Sequence, residues 1–451
     1  MKTIGRYRIR GLLGRGGMSR VFKVELPVIG KVAALKLLDP NPVLVDLIGL
    51  ENIREMFVAE AVTMANLRHP NLVEIWDFDE SQGNLFYLMD FYFNNLGIMI
   101  GETYQTEKPS RVISIEKAIH YIRQTLEGLA ALHHAGIIHR DIKPFNILVT
   151  EQDTVKICDF GLSKLRGETF QGPPNLKVGS PWYAAPEQEA EPDTVDFSAD
   201  LYSVGITLYR MLTGSLPREN AADPSRLNPN LDSSWDQFLD KATAARRRDR
   251  FQRAKEMLTD LDMLQASWEE KKKNTCRLIQ DDQPPVQMEN NNRTTGKIRG
   301  EPLKLNPQQG KRIFMVDDLW RPRNYVQNDY DTHTADIVAD WATGLVWQQS
   351  GSEYPLTWLQ AADYIKGLNQ RRFGKRHTWR LPTVNELGTL LIPTPQGEDY
   401  CIEPVFDLHQ KWLWSCDRRS YAAAWYVSID MGFIGWQDLS GLYYVRAVSS
   451  I

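Results

Sequence analysis

Hydrophobic and polar positions follow three different patterns along the chain. Near the start, residues 7–13, 20–25 and 32–38 are short β-branched or aliphatic runs separated by glycine- and proline-containing turns. Such runs predict three consecutive strands. The period then lengthens: Phe57, Ala61 and Met64 recur at helical spacing, as do Ile119, Ile122, Leu126 and Leu129. A strand-rich beginning before a helical remainder predicts a two-lobed α+β body with a cleft between the lobes. From 269 to 310 the text is polar and charged with isolated aliphatics only. That composition buries too little apolar surface to offset the entropy of ordering, so a disordered linker is expected there. Past Lys311 an aromatic-rich α+β pattern begins, with one amphipathic helix near 358–368 and terminal strands joined by glycine-containing turns. The expected organisation is a first domain over 1–268, a linker over 269–310 and a second domain over 311–451.

Composition sharpens this division. Of the 13 tryptophans, Trp76, Trp182, Trp235 and Trp268 precede the linker and the other nine follow it, which fits two separately built cores. A length of 451 residues is itself too great for one ordinary core. The net charge of −4 argues against a general nucleic-acid binder. No apolar run reaches the ~18 residues of a membrane span; the best, 86–100, is interrupted by Asp90, Asn94 and Asn95. The start lacks the apolar core of a signal peptide, and Cys158, Cys276, Cys401 and Cys416 are widely spaced, so a reducing cytoplasm is expected.

Candidate chemistry begins at Leu13-Gly14-Arg15-Gly16-Gly17-Met18-Ser19-Arg20-Val21, between the first two expected strands. Glycines there allow the backbone to approach a polyphosphate and offer it amide hydrogens, although a G-x-G alone is often an ordinary turn. The third strand ends Ala33-Ala34-Leu35-Lys36, which places a lysine near the same phosphates. Glu60, in the following helical pattern, is positioned to pair with it. Alone, either residue would read as surface decoration.

Context comes from three further runs, Ile138-His139-Arg140-Asp141-Ile142-Lys143-Pro144-Phe145-Asn146, Cys158-Asp159-Phe160-Gly161 and Gly179-Ser180-Pro181-Trp182-Tyr183-Ala184-Ala185-Pro186-Glu187. These resemble the H-R-D-x-K-x-x-N, D-F-G and A-P-E motifs of the protein kinase family, in the family's order. The G-G-M-S form of the first loop resembles the bacterial (Hanks-type) serine/threonine branch. The resemblance extends to about residue 265 through Asp200, Ser203 and Gly205, then Thr213-Gly214, then Asp249-Arg250-Phe251. It implies a bilobal kinase fold and transfer of the γ-phosphoryl of ATP to Ser or Thr hydroxyls of protein substrates, with Mg²⁺.

Phosphoryl transfer gains little from covalent help, so the roles expected are positioning and charge neutralisation. Asp141 is expected to orient or accept the proton of the attacking hydroxyl, and Lys143 to reach the γ-phosphate. Asn146 and Asp159 supply hard oxygen ligands for Mg²⁺. Lys36 holds the α/β-phosphates and Glu60 fixes Lys36. The resemblance further implies that Val21, Ala34 and Leu148 sandwich the adenine, with Met89 at the back and Asp90 to Tyr92 offering backbone groups. It also implies a buried Glu187–Arg250 ion pair in the lower lobe. Ser19 replaces the loop's third glycine. Ser180 stands where threonine is commoner, its hydroxyl expected near Asp141 and Lys143. Arg140 beside the catalytic Asp suggests control by phosphate on the 161–178 segment, where Thr169 is the favoured acceptor over Ser163. The alternative is a pseudokinase scaffold that couples a binding domain to a partner.

In the second domain, Asp340-Trp341-Ala342-Thr343-Gly344-Leu345-Val346-Trp347, Trp379-Arg380-Leu381-Pro382-Thr383 and Tyr444-Val445-Arg446-Ala447-Val448 resemble the Lcl C-terminal type. Its fold is C-type-lectin-like and related to formylglycine-generating enzymes, matching about 314–451. Cys401 and Cys416 are too far apart in sequence to suggest the oxidase chemistry, so the resemblance implies sensing of an unknown ligand or recruitment of a protein. Asp417, Arg418, Arg419, Ser420, Tyr421, Phe433, Ile434, Trp436, Gln437 and Asp438 stand among a sparse framework, like the retroelement-diversified region of some lectin-fold proteins. An ordinary invariant binding face is the other reading.

Overall fold

A computed structural model describes residues 3–103, 106–159, 164–165, 182–217, 222–280, 298–332, 336–396 and 400–451. The chain divides into two compact units, Met1–Leu278 and Ile279–Ile451.

The first unit opens with an antiparallel sheet. Strands β1 (Tyr7–Arg15), β2 (Ser19–Glu25), β3 (Val32–Leu38), β4 (Ile75–Ser81) and β5 (Asn84–Asp90) lie in the order β1-β2-β3-β5-β4, with Thr3–Ile4 paired to the edge of β1. All three predicted strands form. Their two-residue alternation buries Val24, Leu35, Phe86 and Leu88 in one cluster with Tyr7. The opposite phase sets Lys36 beside Tyr87. Helix α1 (Leu50–Asn66) buries Ile53, Phe57, Ala61 and Met64, as its period predicts, and stacks Phe57 against Tyr87 at 5.2 Å between ring centres.

Below the sheet, helix α2 (Ile115–His134) buries Ile119, Ile122, Leu126 and Leu129 and is capped by the Ser114 hydroxyl. A short hairpin, β6 (Ile147–Val149) and β7 (Val155–Ile157), packs on it at Gly128, where a Cβ would lie 2.8 Å from Ile157. Helix α3 (Ser198–Thr213) is buried along nearly its whole length. Its Gly205 allows close contact with Ala242, where a Cβ would stand only 2.8 Å away. Helix α4 (Ala254–Gln280) closes the unit.

That last helix narrows the expected linker. The 269–310 stretch is occupied at both ends, because α4 runs on to Gln280 and residues 298–310 pack into the second unit. Leu305 is buried, its amide donates to the Arg418 carbonyl, and Arg299 forms a bidentate pair with Asp417. Composition misses this because a few well-placed residues, rather than a hydrophobic run, do the docking.

In the second unit, β8 (Ile337–Asp340), β9 (Leu345–Gln348) and β13 (Val448–Ser450) form one sheet with Tyr330–Asp331, so the final strand pairs with an early one. A second sheet holds β10 (Trp412–Arg418), β11 (Ala423–Ser428) and β12 (Phe433–Asp438). Trp347, Trp412, Trp414 and Trp425 are fully buried, so these tryptophans are core. Helices α5 (Trp358–Gln370) and α6 (Val384–Thr389) both begin with capping boxes, Thr357 with Gln360 and Thr383 with Glu386. Among the described residues no helix is long and apolar enough to cross a membrane.

Candidate active site

The β1–β2 hairpin closes through the Gly16 amide, which donates to the Ser19 carbonyl at 2.8 Å. Its tip is tied down, with Asn41 N donating to Gly17 O and Asp39 N to Met18 O. Beyond its two chain neighbours, no atom lies within 4 Å of where a Cβ on Gly14 would be, so a side chain there would meet open space.

Strand β3 carries Lys36 into an ion triad whose Lys36 and Glu60 side chains are buried. Its Nζ lies 2.7 Å from Glu60 Oε1 and 2.9 Å from Asp159 Oδ1. Tyr87 donates its hydroxyl to the same Glu60 oxygen at 3.0 Å. Burial opposes the Lys36 charge, but Asp159 and Glu60 outweigh it and hold the ammonium well above the ordinary lysine range. The ammonium in turn pulls the Asp159 carboxyl down to about 2, against the effect of burial. Nearly half of that side chain is exposed, so solvent screens part of the attraction.

Asp141, Lys143 and Asn146 cluster in the loop before β6. Lys143 Nζ reaches Asp141 Oδ2 at 2.7 Å, and Asn146 Nδ2 donates to the Asp141 carbonyl at 2.8 Å and to Oδ2 at 3.0 Å. His139 Nδ1 accepts from the Asp141 amide, which leaves Nε2 to donate to the Cys158 carbonyl at 3.1 Å. Arg140 and Asp159 both adopt positive φ, 69° and 67°, an unfavourable region for side chains of this size. What holds Arg140 there is Asp200, at the start of α3. Its buried carboxylate accepts the His139 amide at 2.9 Å and the Arg140 amide at 2.8 Å, while Gln188 Nε2 donates to the Arg140 carbonyl at 2.8 Å. The Glu187–Arg250 pair forms as expected, bidentate at 2.7 and 2.9 Å and buried.

Nearer the sheet, Ala34 pairs with Met89, Val21 pairs with Lys36, and Leu148 lies on β6. The Asp90 carboxylate is engaged by Trp76 Nε1 and Lys31. Ser180 and Thr169 lie outside the described residues.

In the second unit two of the motif residues hold their own turns, while Trp341 is exposed. Asp340 accepts the Ala342 amide and the Thr343 hydroxyl around Gly344, whose φ is 70°. Arg380 forks onto Glu386. The ten positions of the suggested variable face separate into three groups by burial. Asp417, Phe433 and Ile434 are buried; Asp417 also accepts the Leu303 and Val384 amides, so it cannot serve as a contact residue. Arg419 and Tyr421 are exposed, and Arg418, Ser420, Trp436, Gln437 and Asp438 are half-buried. Cys401 is buried and Cys158 and Cys416 are partly so, and burial pushes the Cys416 thiol up to about 12.

Residues 7–281, more than half of the chain, match the family model described as the protein kinase domain. The chain belongs to the protein kinase family. Residues 336–449 of this kinase match the Lcl C-terminal domain. Serine/threonine-protein kinase pkn3 of Myxococcus xanthus is 35% identical over 229 residues, 49% of this chain and 40% of that protein. PknB of Mycolicibacterium smegmatis is 32% identical over 275 residues, 57% of this chain and 42% of that one. PrkC of Bacillus subtilis is 30% identical over 271 residues, 57% and 40% of the two chains. The kinase thus spans about two-fifths of the length of the curated relatives it matches.

Reasoning from sequence missed the support of this kinase site more than its centre. Tyr87 carried a usable signal, since strand alternation sets it opposite Lys36. Gln188 carried none, being an unremarkable polar residue whose partner is a backbone carbonyl 48 positions earlier.

Proposed function

We propose that the chain is an active serine/threonine protein kinase that moves the γ-phosphoryl of ATP to Ser or Thr hydroxyls of protein substrates, in the cytoplasm. The observation that carries this reading is the Lys36–Glu60–Asp159 triad, together with the Asp141–Lys143–Asn146 cluster. Lys36 would neutralise the α/β-phosphates, held in place by Glu60. Val21, Ala34 and Leu148 would enclose the adenine against Met89, with backbone groups of Asp90 to Tyr92 at the base edge and Leu13, Gly14, Gly16 and Gly17 over the phosphates. Asp141 takes the hydroxyl proton as the substrate oxygen bonds to the γ-phosphorus and the bond to the β–γ bridging oxygen breaks, releasing ADP. Lys143 stabilises the charge on the transferring group. Asn146 and the ionised Asp159 are hard oxygen donors that suit Mg²⁺, and a metal held there supplies charge neutralisation for the phosphates.

Control by phosphate on Thr169, with Arg140 as the group it would neutralise, extends the proposal, as does a Ser180 hydroxyl near Asp141 and Lys143. The second unit, lectin-like by the resemblance of its motifs, is read as a binding module that senses a ligand or recruits the substrate. Labelled ATP and Mg²⁺ incubated with the wild type, Lys36→Ala and Asp141→Asn tests the reading. Label transferred by the wild type alone is expected, and no transfer by the wild type with Mg²⁺ or Mn²⁺ would refute it.

A further inference from the structure

The glycine loop over the proposed phosphate site is held by a segment outside the family motifs quoted above. Little else packs on its tip. A Cβ on Gly16 would meet only Ser19 of the same turn, and beyond its chain neighbours one on Gly17 would meet only Leu44 Cδ2, 4.0 Å away. The β2–β3 ladder reaches Ser19 and Leu38, and its bonds continue past that pair. The Asp39 amide donates to the Met18 carbonyl at 3.0 Å, and the Asn41 amide to the Gly17 carbonyl at 2.9 Å. Arg20 pairs with Asp39 beside them, both part-exposed, so solvent screens that attraction. Asn41 then caps the short helix Pro42–Ile48, its side chain accepting the Val43 amide at 3.0 Å.

That helix buries none of its seven residues, so core packing is not what orders it. Its far end runs directly into α1. The Gly49 amide donates to the Val45 carbonyl at 2.8 Å, Asn52 Nδ2 to the Ile48 carbonyl at 2.8 Å, and the Ile53 amide to the Gly49 carbonyl at 3.2 Å. Residues 39–49 therefore join the loop tip at one end to the helix that carries Glu60 at the other. Two adjacent glycines have the most backbone freedom to lose, and a loop already fixed in its bound shape spares a ligand that loss. We propose that Asp39, Asn41 and Leu44 are positioning residues for the nucleotide. They clamp the glycine loop over the phosphates and tie it to α1, which slows the release of ADP. This rests on the kinase reading and adds to it a nucleotide-side function for residues that touch neither ATP nor acceptor.

Asn41 has φ −63°, which proline also adopts, so Asn41→Pro deletes the amide bonded to Gly17, and the cap, without straining φ there. Asn41→Ala deletes the cap alone, and Asn41→Asp keeps it. The test uses the full chain with Mg²⁺ and the fluorescent nucleotide mant-ADP, followed by stopped flow. Release should be about tenfold faster in Asn41→Pro and about threefold faster in Asn41→Ala and Leu44→Ala, with Asn41→Asp rescued to within about twofold of the wild type. KM for ATP should rise in the same order, while KM for the acceptor, casein or myelin basic protein, stays within about twofold. Melting should stay within about 2 °C, since the short helix adds nothing to the core. Unchanged release in folded Asn41→Pro, an equal rise in acceptor KM, or release from Asn41→Asp as fast as from Asn41→Pro would overturn the proposal. Should Asn41→Pro fail to fold, Asn41→Ala against Asn41→Asp decides. Release needs no transfer, so a wild type that binds mant-ADP yet transfers nothing would refute the kinase reading alone. A wild type that binds no nucleotide would overturn both.

Discussion

Asp200 offers a quantitative test of how the catalytic loop is held. Its carboxylate accepts the His139 and Arg140 amides at 2.9 and 2.8 Å and His133 Nε2 at 2.8 Å, with no solvent exposure. A hydrogen bond to a charged group contributes ~1.5–3 kcal/mol, so losing the two amide bonds in Asp200→Ala should cost about 3–6 kcal/mol. At ~2–4 °C per kcal/mol for a domain of this size class, the first unit should melt on the order of 10 °C lower. Asp200→Asn keeps one acceptor and should lose about half as much. The functional effect is separable. Arg140 would no longer be held at φ 69°, and a shift of Asp141 by ~1 Å costs about 10²-fold in kcat. Nucleotide affinity should hold, since Lys36, Glu60 and Met89 sit on other elements. The Asp200 pKa is lowered in the fold: burial raises it, but the hydrogen bonds from His133 and the His139 amide outweigh that. Its stabilisation is therefore present above the unfolded value of about 3.9 and is lost as pH falls below it. Differential scanning calorimetry, paired with steady-state kinetics on folded protein, measures both effects. Melting of Asp200→Ala within about 2 °C of the wild type, with kcat within about threefold, would refute the reasoning.

Three further outcomes follow from the same contacts. Glu187→Ala leaves Arg250 buried without its bidentate partner and should cost about 3–5 kcal/mol in urea unfolding, more than the double replacement of the pair by apolar residues. Tyr87→Phe removes the hydroxyl that steadies Glu60, and isothermal titration should show ATP binding weakened by roughly 1 kcal/mol, about fivefold, with little change in melting temperature. In the second unit, Asp417→Ala should lower its melting temperature sharply, whereas Tyr421→Ala and Arg419→Ala should shift it by no more than ~0.5 kcal/mol equivalent.

Much of the first unit was legible because its signals are local. Alternation reveals β1 to β3, helical spacing reveals α1 and α2, and motif order places Lys36, Asp141 and Asn146 along the chain. Contacts between distant residues were not legible. Glu60 could be named as a partner of Lys36, yet the Tyr87 hydroxyl that completes the pair depends on strand register, and Gln188 on a turn that no periodicity marks. The second unit shows the opposite error. Asp417 looked like one of many interchangeable polar residues because its neighbours are, while its buried links to Arg299, Leu303 and Val384 depend on chain more than 30 residues away. The linker is shorter than its composition suggests for the same reason, since a few residues, among them Ile298, Arg299, Leu303 and Leu305, dock a segment that is polar on average.

Whether Asp141 accepts the hydroxyl proton is read from single-turnover transfer measured beside ATP binding. Asp141→Asn should bind ATP within about twofold of the wild type and transfer the phosphoryl group about 10²–10⁴ more slowly, the range attributable to a positioned proton acceptor. Equal transfer rates in the two proteins, with equal affinity, would contradict it.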